Sequence, residues 1–245
     1  GRRDAASGFC YFNDPVLAIA TLLDLGLAPV FYADIDGHHG DGVQDAFAGD
    51  PRVMTVSVHE AGRWPQIPGS MTGALDDRGG GNARNLPVPA GFNDTEMDFV
   101  IEHAFVGLAE RLAPEAVVVT CGADALAEDP LTLLALSNGA LWRAVRRLVA
   151  LAPRAVVVGG GGYNPWSAAR CWAGLWGTLA GYPMPGRLPS ALEARLRAVR
   201  WDFDPEAQGG DAPRPEAWFT TLADAPRPGP VREVVRQTVA AVLAP

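Results

Sequence analysis

Amphipathic stretches and short apolar runs alternate along most of this chain. Residues 15–25 place apolar side chains at helical spacing, with Asp14 positioned to cap the first turn and Gly26 to stop the last. Val30 to Ile35 reads as a buried strand that runs into acidic residues, and a second strand is predicted over 53–58. From Glu60 to about Asn93 the pattern dissolves into a long stretch with Gly and Pro, a length of loop that usually carries function. Helical periodicity resumes at Thr95, with Asn93 or Asp94 as cap, and reaches about Leu112. Ala116 to Thr120 forms a third strand. Asn138 is placed to cap a helix that ends near Ala152. A fourth strand, Ala155 to Val158, meets four glycines, and Ser167 starts another helix. Strands that alternate with helices in this way predict an α/β fold, a largely parallel sheet with helices on both faces.

Beyond Pro183 the pattern changes. Leu188 to Val199 predicts an amphipathic helix, Asp202 to Pro230 a Pro-rich connection, and Val231 to Leu243 a terminal helix. The expected organisation is a catalytic domain over 1–183 and an extension over 184–245 packed on it. Apolar residues between Val16 and Ala33 are interrupted by Asp24, Gly26 and Pro29, which fits a helix and a strand and no membrane span.

At 245 residues the chain is long enough for one substantial core. Its net charge of -8 argues against nucleic acid as a partner, because such proteins cluster basic residues against phosphates. All 20 basic residues are Arg, a bias expected of a GC-rich bacterial genome. Cys10, Cys121 and Cys171 are too few and too far apart for a disulfide framework, so a cytoplasmic location is expected.

The chemistry lies just after the strands. Asp34-Ile35-Asp36-Gly37-His38-His39-Gly40-Asp41-Gly42 follows the first of them, and alternate residues at a strand end point the same way. Asp34, Asp36 and His38 therefore converge, and a carboxylate with an imidazole makes a partial ligand set for a metal such as zinc. The competing reading is a sheet-edge turn with an acidic cap. Cys121-Gly122-Ala123-Asp124 follows another strand and offers a further carboxylate, although Asp124 alone would suit a helix cap. Gly159 to Gly162, followed by Tyr163, lets backbone approach a ligand and sets a phenol beside it, or serves packing alone.

Taken with Ser7-Gly8-Phe9-Cys10-Tyr11-Phe12-Asn13-Asp14 and with Ala169-Arg170-Cys171-Trp172, these blocks stand in the order found in zinc-dependent histone deacetylases. Over about residues 4 to 175 the chain resembles that family, in its bacterial acetoin-utilisation branch. The resemblance implies the three-layer arginase–deacetylase fold and hydrolysis of an acetylated amine, either acetyl-lysine in a protein or peptide or an acetylpolyamine. It implies one Zn2+ held by Asp36, His38 and Asp124, with Tyr163 polarising the scissile carbonyl. K+ is implied at Asp34, Asp36, His38, Ser57 and Val58. Gly8, Phe9, Leu131, Gly161 and Gly162 are implied to line the substrate tunnel, and Cys10 to be a buried thiol. Ile67, before Pro68-Gly69, stands where the family commonly has a second Phe, with Trp64 nearby, so the tunnel is expected to differ in shape.

The family's general base belongs to a tandem His-His shortly before Ser-Gly-Phe. Counting back from Gly8 places that pair immediately before Gly1, so this segment is expected to lack it and to be weakly active alone. Asp34 and Asp41 match the carboxylates that orient those imidazoles. Two alternatives follow: a non-catalytic acetyl-lysine binding module, and a binuclear manganese hydrolase of the related arginase type.

Overall fold

A computed structural model describes residues 1–66, 71–201 and 214–244. Five parallel strands form one sheet: β1 (Val30–Asp34), β2 (Val53–Glu60), β3 (Ala83–Val88), β4 (Ala116–Cys121) and β5 (Ala155–Gly159). Their order is β3-β2-β1-β4-β5. Helices α1 (Asp14–Asp24) and α2 (Asp41–Ala46) lie in the first part of the chain. Next come α3 (Asp94–Val100) and α4 (Val106–Leu112), joined without a break by one π-helical turn, Ile101–Phe105. Then follow α5 (Asn138–Val149), α6 (Pro165–Leu179), α7 (Ser190–Arg197), the short α8 (Ala217–Thr220) and α9 (Glu233–Leu243).

The period-two alternation of β1 builds two cores. Val30 and Tyr32 point to one face, where Ile19 of α1 and Val43 of α2 join them. Phe31 and Ala33 point to the other, among side chains from α3, α4, α5, α6 and α9. Both faces are thereby covered, as a parallel sheet requires. The chain runs from β1 outward through β2 to β3, then returns to lay β4 on the other side of β1. That reversal makes the carboxyl ends of β1 and β4 the topological switch point, where open α/β sheets bind ligands.

Two expectations about elements need correction. The stretch from Glu60 to Asn93 is not all loop, because Ala83–Val88 forms the edge strand β3 paired to β2. Asn85 and Pro87 hide it from an apolar-run reading. Pro87 is tolerated at an edge, and Asn85 is buried because it donates to Gln44 and to the Asp77 carbonyl. Several helix starts also move by a residue or more. Asn13, not Asp14, accepts from the Val16 amide, and Ser137, not Asn138, accepts from Ala140. Asn164 caps α6, three residues before Ser167, and Pro165 fits its first turn. At α3 the cap is Asn93, in a reciprocal capping box with Glu96. Among the described residues no helix is long and apolar enough to cross a membrane. Part of the predicted Pro-rich connection, 202–213, lies outside the described residues.

Candidate functional site

Three strand ends meet at the switch point. The segment after β1 presents Asp36 and His38, the one after β4 presents Asp124, and the one after β5 carries the glycines and Tyr163. One ligand atom from each of Asp36, His38 and Asp124 lies within 4.8 Å of the others, a group that could hold a metal ion. His38 Nδ1 is 2.8 Å from Asp124 Oδ2 and 3.4 Å from Asp36 Oδ1. Backbone amides fix the carboxylates: Gly161 donates to Asp36 at 2.7 Å, and Gly37 donates to Asp124 at 2.8 Å. This approach explains the glycines. A side chain at Gly161 would overlap the Asp124 carboxylate, and one at Gly122 or Gly160 would overlap Asp36.

The donor set fits a small divalent cation, and its electrostatics call for one. Burial, then the charge of Asp36, pushes the Asp124 carboxyl up to about 7. The same two causes push Asp34 up to about 8, although it accepts from the Tyr32 hydroxyl at 2.7 Å and the Asp36 amide at 3.1 Å. Burial opposes a charge on His38, yet Asp124 and Asp36 hold its imidazole up to about 10. Asp36 is partly buried, which pushes its carboxyl up, but hydrogen bonds from His38 keep it below the ordinary range. Two buried carboxylates and one partly buried one thus share one imidazolium, a deficit of positive charge that a bound cation would make good.

Beside this cluster opens a cleft of about 780 Å³ lined by Phe9, Trp64, Leu131 and Tyr163 among others. Phe9 is 84% exposed, so it stands at the rim and not in the core. Its ring lies edge-on to Tyr163 at 5.8 Å between centroids. Gly8 lines the same cleft, at a positive φ of 59° with the Trp64 indole packed over it, where a Cβ would meet that ring at 2.9 Å. Trp64 is also 6.4 Å from His38, ring to ring, and Ile67 lies outside the described residues. Gly161 lines the cleft, whereas Gly162 packs against Ala123 and Ala168 behind it. Cys10, expected to be buried, is exposed, since the turn that holds it is tied at Ser7 and not packed into the core.

Some residues of the site carried no readable motif. Asp129 is buried and accepts from the Tyr163 amide at 2.7 Å and from the Leu131 amide at 2.9 Å, so one carboxylate fixes two walls of the cleft. Its only sequence signal is the turn-forming Asp129-Pro130 pair. Tyr32 shares a side of β1 with Asp34, a relation visible in the two-residue spacing. Asp41 accepts from the Arg2 guanidinium at 2.5 Å. His39 and His59 are buried ring against ring, with His39 held by Gln44 and His59 by Ser57 and the Gly73 carbonyl.

The order of these blocks and the cleft they build have counterparts in known proteins. A model of the histone deacetylase domain matches residues 1–179. The chain belongs to the histone deacetylase family. Histone deacetylase B of Dictyostelium discoideum is 41% identical over 175 residues, which cover 70% of this chain and 40% of that protein. Histone deacetylase 8 of Xenopus laevis is 35% identical over 192 residues, covering 77% of this chain and 58% of its own length. A crystal structure of an HDAC homolog from Aquifex aeolicus superposes with a TM-score of 0.89 at 32% identity. It is covered over 65% of its length by all of this chain. A second such structure, an HDAC homolog complexed with SAHA, matches equally well. The chain therefore spans roughly two fifths to two thirds of these relatives. The fold is the family's α/β arrangement, with its helices on both faces of the parallel sheet.

Proposed function

We propose that this chain carries the metal-dependent site of a deacetylase that hydrolyses an acetylated amine, such as acetyl-lysine in a protein or peptide or an acetylpolyamine. The observation that carries this reading is the convergence of Asp36, His38 and Asp124 beneath a cleft that also presents Tyr163. Two carboxylates and one imidazole suit zinc and leave room in its coordination for substrate. Zinc bound there would supply Lewis acidity to the acetyl carbonyl and to water.

The chain's own residues would hold the substrate and stabilise the charge that develops on it. Phe9 and Trp64 give the linear alkyl chain of the substrate two aromatic surfaces, with Leu131 as a third, apolar side. Burial, then the charges of Asp124 and Asp36, raises the Tyr163 phenol above its ordinary value, so the hydroxyl keeps its proton at neutral pH. It is then a hydrogen-bond donor for the oxygen that gains charge when water adds to the carbonyl. Cleavage of the carbon–nitrogen bond gives acetate and the free amine. Asp34 and Asp41 are the carboxylates we assign to orienting the tandem imidazoles that serve the family as general base. Asp34 faces Ser57 across the β1–β2 register, with Val58 next along the strand. Together with Asp36 and His38, these residues are the oxygen-rich position we assign to K+ below the zinc.

The test is acetate release from acetyl-lysine peptides and acetylpolyamines by the full-length protein, with this segment run alongside and zinc content measured in parallel. Tyr163→Phe is expected to keep zinc and lose roughly 100- to 1,000-fold in turnover. Zinc-loaded full-length protein that turns over no acyl-amine in the panel, or an undiminished Tyr163→Phe variant of it, would overturn the proposal.

A further inference from the structure

Glu60 closes β2 with a buried carboxylate, at the end of the sheet that carries the candidate metal group. A carboxylate is costly to bury unless it is paired and hydrogen-bonded. Here one oxygen, Oε2, meets partners from two separate loops. Arg63 Nε donates to it at 2.8 Å, and the Leu133 amide donates to it at 2.7 Å. The Glu60 amide donates to the Gly37 carbonyl at 3.0 Å, between the candidate ligands Asp36 and His38. Glu60 is thus fixed against the metal-ligating segment by its backbone and reaches both loops with its side chain.

Each loop supplies a wall of the cleft, Arg63 and Trp64 from one and Leu131 from the other. The first loop turns back on itself. The Gln66 amide donates to the Arg63 carbonyl at 2.8 Å, and Gln66 Oε1 accepts from the Gly62 amide at 2.6 Å. A shift of Arg63 therefore carries Trp64 with it. In the second loop Asp129 holds the Leu131 amide and Glu60 the Leu133 amide, so the segment is pinned at both ends. Among the described residues no hydrogen bond joins the two loops directly, and they meet through Glu60. A buried group that served only the fold would bind the sheet or a helix. The partners of this carboxylate lie in neither.

We propose that Glu60 is a positioning residue that ties the Trp64 wall of the cleft to the Leu131 wall and so sets the gap that receives the substrate's alkyl chain. The assignment rests on reading the cleft as the substrate site, as above. The test uses two zinc-chelating hydroxamates, titrated calorimetrically into zinc-loaded full-length protein. Octanohydroxamate runs its chain between the walls, whereas acetohydroxamate reaches the metal alone. Glu60→Ala is expected to weaken octanohydroxamate roughly tenfold, the scale of a one-methylene misfit in an apolar pocket, and to leave acetohydroxamate within about twofold. Glu60→Gln keeps the shape and an acceptor for the Leu133 amide, so it decides the matter should the alanine variant not fold. A loss of roughly threefold, confined to octanohydroxamate, is expected there for the charge that held Arg63. Equal losses for the two hydroxamates, or undiminished octanohydroxamate binding in the glutamine variant, would overturn the proposal. Acetate release by the same proteins tests the deacetylase reading separately: no turnover with this binding pattern intact would sink that reading and leave the role of Glu60 standing. No binding of either hydroxamate by the unsubstituted protein would overturn both.

Discussion

Asp129 shows how one buried carboxylate can govern groups that it does not join chemically. Its two oxygens hold the backbone of Tyr163 and of Leu131, and it lies outside the metal-ligating group. Asp129→Ala should release the Tyr163 loop, leaving zinc stoichiometry intact and lowering kcat by roughly tenfold or more through misplacement of the hydroxyl. Asp129→Asn, which keeps one accepting oxygen, should recover part of that loss. Steady-state kinetics beside metal analysis checks both, and equal zinc loss in the two variants would assign Asp129 to metal binding instead. At this same scale the candidate ligand group was readable, because Asp36 and His38 share a strand end and the glycines around Asp124 mark close backbone approach. Asp129 was not, because a hydrogen bond between distant backbone segments leaves no spacing in the chain.

Among the elements, α9 is docked by its buried Val235, Val239 and Val242 and by one ion pair. Arg232 grips Glu96 through two bonds of 2.7 Å, and the Glu96 side chain is fully buried at the start of α3. Arg232→Ala should cost roughly 2 to 4 kcal/mol, somewhat less than a wholly buried pair because the guanidinium is partly exposed. Burial pushes the Glu96 carboxyl upward, but Arg232 and the backbone amides of Arg232 and Asn93 hold it below its ordinary value of 4.5. A depressed carboxyl stabilises the fold fully above that value and less as the pH falls through the folded-state value. The difference in urea-unfolding free energy between the unsubstituted protein and Glu96→Gln should therefore shrink as the pH drops below about 4.5. A difference that stays constant from pH 7 to pH 3 would show that the pair contributes no such linkage. β3 belongs to this scale as well: its alternation is broken by Asn85 and Pro87, and only pairing with β2 reveals it.

For the molecule as a whole, the two edges of the sheet differ. β3 is covered by α9 and carries Pro87, which cannot donate to another strand. β5 pairs with β4 alone among the described residues, and its valines Val156, Val157 and Val158 are only half-buried. Trp172 and Trp176 of the neighbouring α6 are exposed as well. Such an edge favours pairing with another strand. The chain alone should self-associate with increasing concentration, measured by light scattering, and Val157→Arg should suppress it. Monodisperse monomer at all concentrations would show that β5 is adequately protected by its own side chains.

The sequence by itself determined the parallel α/β class and four of the five strands, and it marked Asp36, His38 and Asp124 as candidate ligands, because each is written in local periodicity or in a short motif at a strand end. Tertiary structure alone decided which distant groups complete the site. It set β4 beside β1, bringing Asp124 to His38, and it aimed Asp129 at Tyr163 and Leu131. These are contacts between remote segments, set by strand order and packing, and neither leaves a period in the chain.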